Sequence, residues 1–281
     1  MAVSLKKARD FVYGNGVLWE KALFGYLFEG RSLEHLHQCL RCYKNPDDGW
    51  GHGLEHDVKT PDSHPAVLEF LLFVFARDIE IPSGNLLDGT AGWLERQRKE
   101  DGSLTSPASL RDYPAEPWWI EWGGQTAPDS IVGNLKKVGS STSSLEESTR
   151  KWVEANLTLE KIQANEWLFM AYHAFDYFMN IDNFPNVETY RQAVIDNIRA
   201  CAEKMPQKRY YVLLQFAPTP DAPVAQTMPE VVKRSLDYVQ DTQRDDGGWD
   251  DEHHMKHWQP YVSTMIFWAL KRHNRLEIAK S

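Results

Sequence analysis

Three groups of acids and histidines in this chain have the residue types and spacing to support chemistry. The largest group lies in one segment and consists of His52, Glu55, His56, Asp57, Asp62 and His64. Imidazoles and carboxylates in one loop can transfer protons or orient a substrate. The segment directly precedes a predicted helix at 65–78, so Asp62 or Ser63 could instead cap that helix. Capping explains one residue of the group, and the others remain candidates for a site.

The second group is the run from Asp250 to His257, which combines carboxylates with histidines. Such ligands can bind zinc. A polar connecting loop explains the same composition, and we favour that interpretation, so we predict no metal site. Trp258 follows the run and is a candidate substrate contact. The sequence does not identify a cofactor.

The third group lies on a predicted helix at 159–180. Glu166, His173 and Asp176 are separated by seven and three residues, which places them near one helical face. If that face lines a cavity, its titratable groups have pKa values open to large shifts by burial. The alternative is that the face packs against a neighbouring helix with a satisfied His–Asp hydrogen bond. The same two interpretations apply to Glu69, and aromatic neighbours that could contact a substrate are Trp167 and Tyr172.

These groups require a helical scaffold. Apolar residues recur at intervals of three and four through most of the chain, which predicts an all-α protein. Segments that are apolar on every side alternate with two-faced segments, as expected for an inner and an outer layer of helices. The inner helices are predicted at 17–29, 65–78, 129–138, 159–180, 209–216 and 259–272. The outer helices are predicted at 4–13, 32–44, 86–99, 145–155, 187–205 and 229–243.

Six helices in each layer predict an (α/α)6 toroid, or a ring that lacks one pair, within a single domain spanning 1–281. The net charge of −9 argues against a nucleic-acid partner, because phosphate binding requires clustered basic residues. No apolar run approaches the roughly 20 residues that a membrane-spanning helix needs. We therefore expect a cytoplasmic protein without a transmembrane segment. The sequence does not indicate an oligomeric state.

A short motif recurs after three of the predicted outer helices. It combines an acid, a glycine and, in two copies, a tryptophan. Internal repeats of this kind are typical of solenoids and closed rings of supersecondary units. The copies are Asp47-Asp48-Gly49-Trp50, Asp101-Gly102-Ser103-Leu104 and Asp245-Asp246-Gly247-Gly248-Trp249.

The segments from Gln97 to Ser103 and from Gln243 to Trp249 resemble the QW repeat of squalene-hopene cyclases. More broadly, the chain resembles the terpenoid cyclase and protein prenyltransferase superfamily, including bacterial proteins of unassigned function with a similar Pro-Trp-Trp segment. The resemblance implies that the glutamine and the tryptophan tie adjacent helix pairs together. The first copy departs from the pattern because it lacks the glutamine, and the second has Leu104 in place of the tryptophan.

The resemblance also implies catalysis in a central cavity. Terpenoid cyclases use a DxDD motif, which is absent from this chain, and prenyltransferases use a zinc site whose thiolate and imidazole are missing here. A catalyst would need a different acid, such as Asp57, Asp62 or Asp176.

We therefore expect a protein that binds or converts an apolar small molecule of isoprenoid type. One alternative is a non-catalytic binding protein that kept the helical ring. Another is a carbohydrate-active hydrolase or lyase that uses paired carboxylates. Its stacking residues would be Trp118, Trp119 and Trp122.

Overall fold

The computed structural model of the chain describes residues 3–121 and 125–276. Trp122, one of the tryptophans predicted to stack on a sugar, lies outside the described residues. The helices are α1 (Leu5–Asn15), α2 (Leu18–Glu29), α3 (Leu33–Arg41), α4 (Pro65–Leu72), α5 (Thr90–Arg96), α6 (Pro117–Glu121), α7 (Asp129–Lys137), α8 (Ser143–Asn156), α9 (Leu159–Ala164), α10 (Tyr172–Phe178), α11 (Val187–Lys204), α12 (Tyr210–Phe216), α13 (Pro223–Thr227), α14 (Pro229–Asp241) and α15 (Gln259–Arg272).

Shorter elements connect these helices. A π-helical turn continues α4 at Phe73–Arg77, and 3-10 turns cover Ala108–Asp112, Leu168–Ala171 and Gln207–Arg209. Strands β1 (Leu104–Thr105) and β2 (Gln125–Thr126) pair antiparallel. The prediction of an all-α protein is confirmed over the described ranges. None of the helices described there is long and apolar enough to cross a membrane.

The chain divides into two compact units. The terminal unit comprises Met1–Cys39 and Ile198–Ser281, and the central unit comprises Leu40–Asn197. The single domain expected from the sequence stays a prediction.

The three repeated segments form the same turn in the structure. In the first copy, the Asn45 N–H donates to the Gly49 carbonyl (2.9 Å), and the Asp48 N–H donates back to the Asn45 carbonyl (3.0 Å). The Asp47 carboxylate accepts the Gly49 N–H at 2.9 Å. The sequence repeat is therefore also a repeat of backbone structure. The equivalent residues are Lys99, Asp101, Gly102 and Ser103 in the second copy and Arg244, Asp246, Gly247 and Gly248 in the third.

One position of this turn adopts a left-handed backbone in all three copies. Its φ is 71° at Asp48, 84° at Gly102 and 97° at Gly247. Glycine accepts this conformation without steric cost, whereas a residue with a Cβ atom is strained. Two copies satisfy the requirement with glycine, and the first copy holds an aspartate there.

The residue that follows each turn is buried. The Trp50 indole N–H donates to the Thr90 hydroxyl (3.1 Å), and the Trp249 indole N–H donates to the Val239 carbonyl (2.8 Å). Leu104 occupies the same position in the second copy and is also fully buried. The two tryptophans bond a helix of their own unit and Leu104 is buried, so the motif has a structural role.

The polar residue before the turn bridges elements in two of the copies. The Gln243 side chain accepts from the Ser4 N–H (2.7 Å) and donates to the Ser4 carbonyl (3.1 Å) at the start of α1. In the first copy, the Lys44 ammonium donates to the Leu86 carbonyl at 3.0 Å. In the second copy the equivalent residue is Arg98, and Gln97 lies one position earlier, where its backbone carbonyl accepts the Thr105 N–H.

The helix predicted at 159–180 is broken, and that prediction is wrong. The Asn165 Oδ1 accepts the Trp167 N–H (3.3 Å), and Asn165 also bonds the side chain of Asn197 on α11 (2.9 Å). A side chain that bonds the backbone in this way competes with helical hydrogen bonds. The chain therefore leaves α9 at Ala164 and becomes α-helical again at Tyr172.

Close packing of α7 on α10 forms the centre of the central unit. Gly133 makes this approach possible, because a Cβ atom on it would lie 2.1 Å from the Asp176 carbonyl oxygen. All eight residues of α4 are also buried. The three helices α4, α7 and α10 carry Glu69, Asp129 and Asp176, respectively.

Candidate functional site

A pocket of about 250 Å³ lies within the central unit. Its apolar wall comes from α8 to α11 and the segments that join them. Its polar groups are Asp129, Lys161, Asn165, His173 and Asn197, and its apolar residues are Ala127, Trp152, Leu157, Ile162, Met170, Ala171, Ala174 and Val194. A mostly apolar concavity with a few converging polar groups is the usual form of a small-molecule site.

His173 and Asp129 form the charged pair of this pocket. The His173 Nδ1 lies 2.8 Å from the Asp129 Oδ1, which also accepts the N–H of Ser130 at 2.7 Å. The carboxylate is almost fully buried, whereas 19% of the His173 side chain is exposed. The His173 Nε2 has no hydrogen-bond partner among residues 3–121 and 125–276. This nitrogen is the part of the pair that a ligand can use.

The pair keeps the imidazole charged at neutral pH. Burial acts to lower the pKa of His173, but the charge of Asp129 and its hydrogen bond outweigh burial, and Glu69 and Asp176 add to the effect. The resulting pKa is about 9. His173 therefore presents a positively charged donor in an apolar wall.

Glu69 is buried and bonds the residues next to this pair, Ser130 and Tyr172. Its carboxylate accepts hydrogen bonds from the Ser130 hydroxyl and from the Tyr172 hydroxyl, the latter at 3.3 Å. The Tyr172 ring stacks on His173 with 4.1 Å between centroids. Burial raises the pKa of Glu69 and also that of Tyr172. The structure thus brings Glu69, Tyr172 and His173 together, although only His173 lines the pocket.

Asp176 belongs to a second buried cluster, three residues further along α10. It accepts from the Asn134 amide (2.8 Å) and lies 3.5 Å from a guanidinium nitrogen of Arg77. Arg77 is on the π-helical turn, bonds Asp78 and packs on the Phe73 ring at 3.7 Å. Burial raises the pKa of Asp176 to about 7, although Arg77 and Asn134 oppose it. Asp176 does not line the pocket.

The predicted placement of Glu166 on one face with His173 and Asp176 is wrong. Glu166 lies in the break between α9 and the 3-10 turn and is exposed. Trp167 lies in the same break with 37% of its surface exposed and packs on Phe169. Because the helix is interrupted, a periodicity counted through residue 166 does not apply.

The 52–64 segment is held by hydrogen bonds to neighbouring segments of the central unit. His52 bonds the Asn45 side chain (2.8 Å), and Asp62 accepts the Ser109 hydroxyl (2.6 Å). Asp57 is buried, and its backbone carbonyl accepts the Glu116 N–H. None of these residues lines the pocket, and the hydrogen bonds described here join one loop to another.

His64 has a capping role. Its Nδ1 accepts the Ala66 N–H (3.0 Å) at the start of α4, and its Nε2 has no hydrogen-bond partner within the described ranges. Burial lowers the pKa of this fully buried imidazole to about 4. The sequence pointed to Asp62 or Ser63 as the cap, and the structure assigns that role to His64.

Three other candidates lie beside this helix. His56 is buried with its ring 6.1 Å from Phe70, and Trp119 lies edge-on to His64 at 6.0 Å between centroids. Trp118 is half-buried with Trp119 on α6. His56 and Trp119 therefore contact α4 and its N-cap residue, and none of the three lines the pocket.

The 250–258 segment lies in the terminal unit and is bonded internally. Asp250 pairs with His254 (2.7 Å), and Asp251 accepts the N–H of His253 at 3.0 Å. Trp258 caps α15 and contacts Tyr261 edge-on. These contacts suit the polar connecting loop that we favoured from the sequence.

Sequence reasoning missed Asp129, Lys161 and the Asn165–Asn197 pair. Asp129 begins a predicted helix after Pro128, which reads as a routine helix start with an acid in its first turn. Its partner lies 44 residues away, so no local spacing connects the two. Asn165 could have indicated the end of α9, because asparagine inside a predicted helix favours a break.

Comparisons of this chain with protein-family models, with curated proteins and with solved structures found no match. We therefore infer the function of the chain from the pocket itself.

Proposed function

We propose that the central unit binds an apolar small molecule of isoprenoid type in the pocket between α7 and α11. The observation that carries this proposal is a charged imidazole, His173, held by Asp129 in a wall of otherwise mostly apolar residues. Apolar side chains supply most of the binding free energy in such sites, and a few polar groups orient the ligand. The repeat resemblance supports a ligand of the isoprenoid class.

Binding has stronger support than conversion. A pKa of about 9 makes His173 a charged hydrogen-bond donor at neutral pH and a weak acid. Protonation of an isolated alkene requires a much stronger acid, and the buried acids Glu69 and Asp176 do not line the pocket. Conversion of the ligand is therefore the second part of the proposal. The non-catalytic binding protein is favoured over the sugar enzyme because Asp129 is the one carboxylate that lines the pocket in the described part of the chain, and the sugar enzyme needs a pair.

The proposal keeps two expectations from the sequence. The first is the (α/α)6 toroid, or a ring that lacks one pair, which the recurrence of one turn after α3, α5 and α14 supports. The second is a cytoplasmic location.

A thermal-shift experiment with polyprenyl alcohols and diphosphates, with and without Mg²⁺, tests the proposal. We expect the melting temperature to rise by about 3 °C at a ligand concentration near ten times Kd. The substitution Leu157→Trp fills the pocket from a half-exposed position and should abolish the rise. Leu18→Trp, on the exposed face of α2, is the matched control and should retain it.

The same samples are analysed for new products. Binding with turnover supports both parts of the proposal, and binding without turnover supports the non-catalytic alternative. No shift with any ligand, or an equal shift in Leu157→Trp, would contradict the proposal.

A further inference from the structure

The pocket wall holds more positively charged groups than negatively charged ones. Two cations, Lys161 and His173, line the pocket together with one carboxylate, Asp129. The His173–Asp129 pair is neutral as a unit, so the wall retains one positive charge. A positive charge beside apolar surface favours a ligand that brings one negative charge, and Lys161 itself is exposed to solvent.

His173 and Lys161 also provide the hydrogen-bond donors that a ligand in the pocket can contact. The His173 Nε2–H is the donor left by the Nδ1 contact to Asp129. The Lys161 ammonium gives one bond to the Asn156 carbonyl (2.8 Å) and has further N–H donors. By contrast, the two asparagines in the wall bond each other, through Asn165 Nδ2 to Asn197 Oδ1 and Asn197 Nδ2 to the Asn165 carbonyl.

Two donors with one net positive charge suit a carboxylate better than a phosphate. A carboxylate has two oxygens and one negative charge. A phosphate ester or diphosphate carries more charge and is usually bound by several cations or by arginine. No arginine lines the pocket in the described part of the chain, and the Asp129 carboxylate would repel a dianion.

The apolar part of the pocket wall fits an apolar chain. Trp152, Ile162, Met170 and Val194 line it. On the basis of the binding function proposed above, we propose that the ligand is a monocarboxylic acid with an apolar body, whose carboxylate bonds His173 Nε2 and Lys161 Nζ. This chemistry differs from the diphosphate that a prenyl-transfer substrate would carry.

Calorimetric titration with three probes tests this ligand class. Geranic acid, geraniol and geranyl diphosphate share one apolar body and differ in the head group. We expect geranic acid to bind at least about tenfold more tightly than geraniol, as one charge-assisted hydrogen bond implies. We also expect it to bind more tightly than geranyl diphosphate.

Two variants and one control locate the effect. His173→Gln keeps a polar side chain without the charge, and Lys161→Met keeps the length of an exposed side chain without the charge. Each should reduce the preference for the acid over the alcohol to about threefold or less. Lys151→Met changes an exposed lysine on α8 that is not in the pocket wall, and it should keep the full preference. Lys161→Met also serves if His173→Gln fails to fold.

The outcomes separate this inference from the function on which it rests. Equal binding of acid and alcohol, or a preference that survives both variants, overturns the carboxylate assignment and leaves the apolar pocket intact. Tighter binding of geranyl diphosphate overturns it in favour of a phosphate ligand. If none of the three probes binds, the proposed function itself fails.

Discussion

The His173 Nδ1 lies 2.8 Å from the Asp129 Oδ1, and this ion pair joins the first turn of α10 to the first residue of α7. The pair determines the charge of the pocket wall, because it holds the imidazole protonated at a position where burial alone would make it neutral. Its geometry leads to predictions about protonation, stability and binding.

The pKa of His173 should depend on Asp129. In Asp129→Asn the attraction to the carboxylate is lost, so we expect the pKa to fall from about 9 to below its ordinary value of 6.5. An NMR titration of the His173 ring protons measures this change. Asp250→Asn removes the carboxylate partner of the exposed His254 and is the matched control. An unchanged His173 titration in Asp129→Asn would show that the pair does not set the charge.

Stability should fall as the pH rises from 7 to 9. The folded pKa of His173 is raised from 6.5 to about 9, so its contribution is fully present below 6.5 and is lost as the pH rises through 9. The charged and titratable groups around it are Asp129, Glu69, Asp176 and Tyr172. Asp176 has a raised pKa of about 7, so most of its contribution to stability is already lost at lower pH. Tyr172 titrates well above this range.

Denaturant unfolding at several pH values measures that loss. We expect wild type to lose about 2 kcal/mol of unfolding free energy between pH 7 and 9. His173→Gln, which cannot titrate, should show a nearly flat profile over the same interval. Parallel profiles for the two proteins would contradict the assignment.

His64 should weaken the fold under acid conditions. Burial lowers its folded pKa from 6.5 to about 4, so the unfolded chain binds a proton that the folded chain does not over this range. Stability is therefore lost as the pH falls from 6.5 to 4, by about 3 kcal/mol for this group. His64→Asn retains a side chain that can cap α4 and removes the titration. The variant should lose less stability than wild type over this interval, and an equal loss would show that His64 is already protonated in the fold.

Gly133 should be intolerant of a larger side chain. Gly133→Ala places a Cβ atom 2.1 Å from the Asp176 carbonyl oxygen, so α7 and α10 must separate. We expect a loss of about 2–3 kcal/mol in unfolding free energy. Gly14→Ala is the matched control, because Gly14 is in α1 with no atom within 4 Å of its Cβ position. That change should leave stability equal or raise it by about 0.5 kcal/mol.

The repeated turn predicts opposite effects at equivalent positions. Asp48 has a φ of 71°, so Asp48→Gly should relieve strain and raise unfolding free energy by about 1 kcal/mol. Gly102 has a φ of 84°, so Gly102→Asp should lower it by a similar amount. Thermal unfolding of both variants measures the pair of effects. Changes of the same sign would mean that the two turns are not equivalent.

Periodicity predicted most helices well, because the spacing of apolar residues within a long amphipathic segment is enough to indicate a helix. The segments predicted at 187–205 and 259–272 correspond closely to α11 and α15. The segment at 159–180 failed because Asn165 bonds Asn197, a contact between residues 32 positions apart. The segment at 86–99 shortened to Thr90–Arg96, since Gly89 adopts a left-handed backbone directly before the helix.

The site was less predictable than the helices for a physical reason. His173 was named from its place among aromatic residues, and it does line the pocket. Its ion-pair partner Asp129 and the hydroxyl of Ser130 that bonds Glu69 come from α7, which the periodicity shows only as a helix. The packing of helices depends on close approaches such as that of Gly133 to α10. The periodicity of one sequence indicates the helices but does not show which of them pack together.

The most direct test of the central claim is to locate a bound apolar ligand on the folded chain. Intermolecular NMR contacts between geraniol and the protein can be measured with wild type at saturating ligand. We predict contacts to the side chains of Trp152, Met170 and Val194, and a shift of the His173 ring signals. Contacts confined to residues outside this pocket, or no contacts at saturation, would contradict the proposed binding function.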